Sequence, residues 1–176
     1  SVLAQCHQHN QRLAFRVMCQ NGHEVADNSV TVKYEVPLWY VKSGARGWLY
    51  PDKQHWQPDY DDPLFIEKHG ALIRALGARY DGHPDLDHVD IGSVGRWGEW
   101  HTEGLPFPMP TLENHRKVVD LYVESFRKTP LVMNLEESPA TEYAISRGTG
   151  WRADCLGDMS VGEFFDEQGN GDECAR

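Results

Sequence analysis

Residues 88–101 read HVDIGSVGRWGEWH, and this stretch joins a strand to the polar and aromatic residues that follow it. Residues 88–94 are rich in β-branched side chains, which is typical of a buried strand. Glu99 comes shortly after this strand and lies between Trp97 and Trp100 in the sequence. We therefore predict a strand whose carboxyl end presents a carboxylate among aromatic rings.

Helix signals lie on both sides of this strand. Residues 62–80 begin with Asp-Pro, an N-cap carboxylate before a proline at the first helical position, and apolar residues then recur on one face. Residues 110–126 begin with Pro-Thr and show the same spacing of apolar residues. We expect one helix before the strand and one after it.

Three further apolar segments have the length of strands, and another helix lies between the last two of them. The strands are predicted at residues 12–18, 130–135 and 150–156, the helix at 140–147, and residues 1–9 are typical of the end of a helix. Strands therefore alternate with helices. Because a strand reaches a parallel neighbour only through a crossover, this order predicts an α/β fold with a parallel sheet.

Residues 20–62 form a long segment in which glycine and proline interrupt any regular period, although residues 30–36 favour a short strand. Connections longer than about 12–15 residues usually serve a function. This one carries Trp39, Trp48 and Trp56. Their rings either stack on sugar rings or anchor the segment to the rest of the fold, and we expect Trp39 to bind substrate.

Composition narrows the classes of partner. The chain has 176 residues with a formal net charge of −10 and no cluster of lysine and arginine, which argues against nucleic acid. No apolar run approaches the roughly 20 residues of a membrane-spanning helix. The motifs of nucleotide-binding loops and of the serine-hydrolase elbow are missing, so no cofactor is predicted.

Cysteine and histidine spacing does not predict a metal site. The four cysteines are widely separated and contain no C-x-x-C pair, although disulfides between them remain open. The histidines near the first strand, His7, His9 and His23, lack the H-x-x-x-H or H-E-x-x-H spacing of helical zinc sites. We expect no catalytic metal.

Acidic residues follow the last three strands of the predicted sheet. They are, in chain order, Glu99, the pair Glu136 and Glu137, and, at the end of the last strand, Asp154 and Asp158. In a barrel of parallel strands such positions lie on the carboxyl-end rim, where active sites are found. Successive residues of a strand point to opposite sides, so only one residue of the glutamate pair faces the centre, and we expect it to be Glu136.

Two stretches of the chain resemble a known family. Residues 79–84 (RYDGHP) with residues 90–101 (DIGSVGRWGEWH), and residues 148–158 (GTGWRADCLGD), are similar to an uncharacterised bacterial family of glycoside-hydrolase-like barrels, known as a domain of unknown function. The resemblance extends over nearly the whole chain.

A more distant resemblance concerns the segment that ends in Glu99. It is similar to the fourth unit of the β-galactosidase barrels and their clan of retaining glycosidases, in which a glutamate at this position acts as acid and base. In that clan the glutamate usually follows an asparagine, which holds the sugar 2-hydroxyl in the transition state. Gly98 stands in the place of that asparagine here.

These resemblances imply an incomplete (β/α)₈ TIM barrel. The strands of this chain would be the third to the sixth, and a complete barrel needs about 250 residues. Residues 1–176 are therefore expected to be a single partial domain, truncated at both ends. The nucleophile, which closes the seventh strand in that clan, would lie outside the chain. The expected partners are a carbohydrate or glycoside and the remainder of the barrel, and an extracytoplasmic location is favoured.

The resemblance further implies a glycoside hydrolase-like domain with Glu99 as the general acid/base. Aromatic walls suit such an acid, because burial disfavours the charged form of a carboxyl group. Seven further residues are expected to bind the substrate, namely Trp97, Trp100, His101, Glu136, Asp154, Arg16 and Trp39.

Several alternatives remain open. Glu99 can instead pair with Arg96, with His101 or with an arginine of a neighbouring strand. Asp154 can form a salt bridge with Arg152. The domain as a whole can be a carbohydrate-binding barrel without catalysis, or a structural surface module that binds no sugar. Turnover distinguishes the first two functions, and glycan binding distinguishes both from the third.

Overall fold

The structure, a computed structural model, describes residues 1–20, 33–51, 55–102, 107–135 and 138–153. Within these ranges the chain forms five α-helices, seven strands and one short 3₁₀ helix at Arg96–Gly98. In chain order the helices and strands are α1 (Val2–Gln8), β1 (Leu13–Met18), β2 (Lys33–Tyr34), α2 (Leu38–Lys42), β3 (Gly47–Leu49), β4 (His55–Pro58), α3 (Pro63–Tyr80), β5 (Leu86–Ser93), α4 (Leu112–Ser125), β6 (Leu131–Asn134), α5 (Pro139–Ser146) and β7 (Gly150–Arg152).

Four of the strands form one parallel sheet. β1, β5, β6 and β7 lie side by side in that order, and each pair of neighbours is parallel. The helices α3, α4 and α5 precede β5, β6 and β7 respectively, and they contact one another in the same order. The chain is therefore an α/β fold with a parallel sheet, as the alternation of strands and helices predicted.

The longest helix, α3, begins and ends where its sequence signals predicted. The Asp62 carboxylate accepts a hydrogen bond from the Leu64 amide at 3.0 Å and so caps the first turn. The helix ends at Tyr80, and Asp81 then accepts the amide hydrogens of residues 127–129. These bonds connect the end of α3 to the turn that leads from α4 into β6.

One face of the parallel sheet is apolar. Val89 and Ile91 of β5 and Met133 of β6 are fully buried on this face, in one cluster with apolar residues of the helices. Burying aliphatic side chains between a sheet and its crossover helices supplies most of the stability of such a fold.

The opposite face of the sheet is polar. Arg16 of β1 is in register with Asp90 of β5, and Asn134 of β6 is in register with Arg152 of β7. Residues in register on parallel strands point to the same side of the sheet. Two arginines, an aspartate and an asparagine therefore share one surface near the carboxyl ends of the strands.

Residues 33–58 are more regular than predicted. β2 pairs in parallel with one side of β4, and β3 pairs antiparallel with its other side, so three strands form a second, smaller sheet. Each strand has only two to four residues, which is too short to produce a period in the sequence. Trp56 packs its ring against those of Tyr34 and Tyr40, with centroids 5.7 and 6.4 Å away. The short strand predicted at residues 30–36 is confirmed by β2, whereas α2, β3 and β4 were not predicted. Residues 21–32 and 52–54 lie outside the described part of the chain.

Two smaller findings concern the helices and the cysteines. None of the described helices is both long and apolar enough to cross a membrane. Cys6 and Cys19 are free thiols, whereas Cys155 and Cys174 lie outside the described residues. Burial raises the pKa of the Cys19 thiol to about 12, so this side chain stays protonated and serves as an apolar packing residue.

Candidate functional site

A tight loop follows β5 and carries Glu99. The Trp100 amide donates to the Val94 carbonyl oxygen at 3.0 Å, which closes the loop at its base. Gly95 has a φ of 77°, and a Cβ atom there would lie 2.5 Å from the His101 carbonyl oxygen. Only glycine fits this turn, because another residue would be strained in its backbone and would collide with the returning chain.

Two buried tyrosines support the loop. The Tyr60 hydroxyl accepts a hydrogen bond from the Gly95 amide at 3.0 Å, and the Tyr122 hydroxyl lies 2.6 Å from that of Ser93. Burial raises the pKa of both tyrosines well above the usual range, so both hydroxyls keep their protons. Tyr60 and Tyr122 therefore act as structural supports of the loop.

Trp100 lies in the core and not on the surface. Its side chain is only 2% exposed, its Nε1 donates to the Ile91 carbonyl oxygen at 2.7 Å, and its ring meets that of His115 edge-on. The hydrogen bond to Ile91 turns the indole back against β5. The structure thus does not bring the Trp100 ring to a position where a sugar can stack on it, although the sequence places this residue next to Glu99.

The Glu99 carboxylate meets cationic side chains from other parts of the chain. Arg16 donates from Nη1 to Glu99 Oε1 at 2.9 Å and to the Trp97 carbonyl oxygen at 3.0 Å. Arg152 Nη2 lies 3.9 Å from the same carboxylate oxygen, and His101 Nε2 lies 3.5 Å from Oε2. The Glu99 side chain is 18% exposed, so it is partly shielded from water but not enclosed. The alternative in which Glu99 pairs with His101 and with arginines of neighbouring strands matches this geometry.

Asp90 completes the cluster beneath Glu99. Its Oδ2 lies 3.3 Å from Arg16 Nε and also accepts a hydrogen bond from Arg152 Nε. Asp90 was not predicted from the sequence as a residue of the site. The available signal was a charged side chain within a buried strand, because aspartate is almost never fully buried unless it is paired. The pairing partners are far away in the sequence, so their identity was not readable from it.

Trp97 lies at the edge of this cluster. Its ring is half-buried, the Arg96 guanidinium covers one face at 4.4 Å, and the His101 ring centroid lies 6.0 Å away. Arg16, Trp97, Glu99 and His101, four residues predicted to form the site, are thus neighbours in the structure.

Trp39 is not among the residues that meet at Glu99. It lies on α2, 59% exposed, and borders an apolar cavity of about 160 Å³ together with Phe65 and Leu72 of α3. Glu136 and Asp154, the two other predicted substrate-binding residues, lie outside the described residues. Within the described ranges, no group of three or more histidine, cysteine, aspartate and glutamate side chains is placed to hold a metal ion.

Comparison with known proteins does not assign the chain to a family. No protein-family model, no curated protein and no solved structure matches it. Its function must therefore be inferred from the residues of the site. Chemically, the described part of the cluster offers guanidinium donors and carboxylate acceptors side by side, which suits a ligand with many hydroxyl groups.

Proposed function

We propose that this chain is part of a carbohydrate-active (β/α)₈ barrel and supplies its third to sixth strands. Two features support the proposal. The four parallel strands follow one another in chain order, and α3, α4 and α5 contact one another in the same order. When each right-handed crossover adds the next strand on the same side of the sheet, all the helices lie on one face of the sheet, as in a barrel. The other face of the sheet then lines the interior of the barrel.

Within that barrel, we propose that Glu99 takes part in the hydrolysis of a glycosidic bond. One observation carries this proposal: Glu99 follows the carboxyl end of a central strand, with Oε1 held by Arg16 and Oε2 directed at His101. Barrel enzymes place their reacting groups at this end of the strands. Because Oε1 already accepts a hydrogen bond from Arg16, the proton that Glu99 transfers is held at Oε2.

The chemistry would proceed in two steps. Glu99 gives its Oε2 proton to the glycosidic oxygen as the bond to the anomeric carbon breaks, and a carboxylate about 5–5.5 Å away bonds to that carbon. Glu99 then takes a proton from water as the water oxygen attacks the same carbon and releases the carboxylate. The second carboxylate would come from a strand outside this chain.

A second candidate function is sugar binding without hydrolysis. The observation that favours it is the contact of Glu99 Oε1 with two guanidinium groups, which use this carboxylate oxygen as an acceptor. Gly98 also replaces the asparagine that accompanies the acid in the related clan. In this case Arg16 and Glu99 only donate to and accept from sugar hydroxyls.

A hydrolysis screen of the full-length protein separates the two candidates. Aryl glycosides and oligosaccharides are tested on the wild type, on Glu99→Gln and on Glu113→Gln, a matched control at an exposed position of α4. Turnover that survives in Glu113→Gln and is lost in Glu99→Gln supports hydrolysis. Equal turnover in all three proteins refutes the role of Glu99.

Glycan binding by the wild type is the deciding measurement when none of the three proteins shows turnover. If none of the three proteins hydrolyses any substrate and the wild type still binds glycans, the binding function is correct. If the wild type neither hydrolyses nor binds a glycan, both proposals fail and the domain is a structural module.

A further inference from the structure

We infer that Asp90 is a positioning residue for Glu99 and acts through Arg16 and Arg152. The inference deepens the proposed function and depends on it only in taking Glu99 as the centre of the site. Asp90 lies on β5, the strand that leads into the Glu99 loop. Its carboxylate orients both guanidinium groups that reach Glu99.

The geometry forms a chain of alternating charges. Asp90 Oδ2 contacts the Nε atoms of Arg16 and Arg152, whereas terminal nitrogens of the same two arginines lie 2.9 and 3.9 Å from Glu99 Oε1. Each guanidinium therefore has its Nε side towards Asp90. Arg16 also donates a hydrogen bond from a terminal nitrogen to Glu99, whereas the terminal nitrogen of Arg152 lies within ion-pair distance of it. Since a guanidinium is a rigid planar fork, fixing one side of it fixes the direction of the other.

Two other aspartates of the chain accept hydrogen bonds from backbone amides. Asp62 accepts backbone amides of Leu64 and Arg46, and Asp81 accepts three backbone amides of residues 127–129. These carboxylates hold the backbone together. Asp90 instead meets the side chains of two arginines through Oδ2, and its buried Oδ1 has no hydrogen-bond partner.

Asp90 Oδ2 thus lies between the two arginines and contacts the Nε side of each. This contact gives both guanidinium groups a defined position.

Asp90 and Glu99 both contact Arg16 and Arg152, and all four side chains are at most a quarter exposed. Without Asp90, both arginines lose a carboxylate contact on their Nε side, and the orientation of the groups that meet Glu99 is no longer defined. If Arg152 is also replaced in the Asp90→Asn variant, Arg16 and Glu99 are left as a pair of one cation and one anion.

The first test is a double-variant cycle in the full-length protein. Unfolding midpoints are measured for Asp90→Asn, for Glu99→Gln and for the double variant. Asp87→Asn with Glu99→Gln forms the control cycle, since Asp87 is an exposed residue of the same strand and pairs with Arg12 instead. Asp90 and Glu99 share both arginine partners, so their shifts in midpoint are expected to be non-additive by several degrees, with the double variant losing more than the sum. Additive shifts in both cycles overturn the inference.

The second test is a rescue by charge. Asp90→Asn/Arg152→Gln is expected to recover at least half of the midpoint lost in Asp90→Asn, although it lacks one more native side chain. If Asp90 only filled space, a second substitution at Arg152 would not restore stability to Asp90→Asn. If Asp90→Asn does not fold and the double variant folds, the inference is supported. If the double variant is as unstable as Asp90→Asn, or neither folds, the inference is overturned.

Turnover separates this inference from the proposed function. If the protein hydrolyses a glycoside, Asp90→Asn is expected to lower kcat about tenfold with less than a twofold change in KM, as for loss of an interaction that matters mainly in the transition state. Activity equal to that of Asp87→Asn overturns the inference and leaves the proposed function intact. If no substrate is turned over, but the cycle is non-additive and the rescue works, hydrolysis fails and the inference stands.

Discussion

Arg16 and Glu99 are 83 residues apart in the chain, yet Arg16 Nη1 lies 2.9 Å from Glu99 Oε1. The contact crosses from β1 to the loop that follows β5, and the parallel pairing of these two strands makes it possible. The same Nη1 also donates to the Trp97 carbonyl oxygen. Arg16 therefore fixes both the backbone and the acidic side chain of the loop.

The first prediction concerns the loss of this arginine. Arg16→Met removes the closest cation of Glu99 and one of the two arginines that contact Asp90. We expect the free energy of unfolding to fall by about 1–3 kcal/mol, less than for a fully buried pair because the side chains are partly exposed. Arg12→Met, at the residue directly before β1, is the control, since its pair with Asp87 is exposed and 3.8 Å long. Urea denaturation of both variants measures the difference. Equal losses would contradict a special role for Arg16.

A second prediction concerns the contact between α3 and α4. A Cβ atom at Gly77 would lie 2.3 Å from the Ser125 carbonyl oxygen, which is backbone and cannot turn away. Gly77→Ala is expected to lower the free energy of unfolding by about 1–3 kcal/mol, because the helices must move apart.

The control for this clash is another glycine of α3. At Gly70, a Cβ atom would lie 3.0 Å from side-chain atoms of Arg74 and Leu121, and these can shift. Gly70→Ala is expected to be near neutral, because alanine also favours the helix by roughly 0.5–1 kcal/mol. Thermal or urea denaturation of the two variants checks the ordering, and a stable Gly77→Ala protein would show that the helices are not held as closely as described.

The third prediction concerns pH. Burial lowers the pKa of His69 from 6.5 to about 4, so this side chain is neutral in the fold and binds a proton more readily when the chain is unfolded. Its contribution to stability is complete above about pH 6.5 and is lost as the pH falls towards 4. We expect the protein to lose about 2 kcal/mol of stability between pH 7 and pH 5 on account of this one group.

His69→Phe tests that assignment, since the ring stacks on Phe65 and a phenyl group has a similar shape. The variant should lose less stability than the wild type on going from pH 7 to pH 5, measured by urea denaturation at each pH. The same change at the exposed His9 serves as the control and should leave the difference between the two pH values in place. An unchanged pH dependence in His69→Phe would rule out this histidine as its source.

The fourth prediction separates the two tryptophans that flank Glu99. Trp100→Ala removes a buried ring and its hydrogen bond to Ile91, so we expect a loss of roughly 3–5 kcal/mol in stability. Trp97→Ala removes a half-buried ring at the edge of the site and should cost less stability, while it weakens glycan binding at least tenfold. Calorimetric titration with a glycan bound by the wild type, beside thermal unfolding, distinguishes the two effects. Glycan binding that is unaffected by Trp97→Ala would remove this residue from the proposed site.

Much of the fold was predictable because its signals are local. Asp62 and Pro63 mark the beginning of α3, and the β-branched run at residues 88–94 marks β5. Caps and apolar periods depend on residues within a few positions of each other, so a single sequence displays them. Of the small sheet at residues 33–58, only the strand at residues 30–36 was predicted, because strands of two to four residues are too short to show a period in the sequence.

The candidate site, too, was predictable from the sequence only in part. The sequence places Glu99 directly after a strand, and parallel topology then puts it at the carboxyl end of the sheet. Trp100 was misplaced, because whether a ring next to Glu99 faces outwards or folds back onto Ile91 is decided by the backbone of the loop. Asp90 was overlooked, because its partners lie on β1 and β7.

The sequence by itself therefore determined the order of helices and strands, the ends of the long helices and the strand after which Glu99 stands. Only the tertiary structure decided the register of β1, β5, β6 and β7, and with it the meeting of Arg16 and Arg152 with Asp90 and Glu99. The physical reason is the distance along the chain over which each interaction acts. Helix caps and apolar periods act between neighbours in the chain, whereas strand register and buried charge pairing are selected by the packing of the whole sheet against its helices.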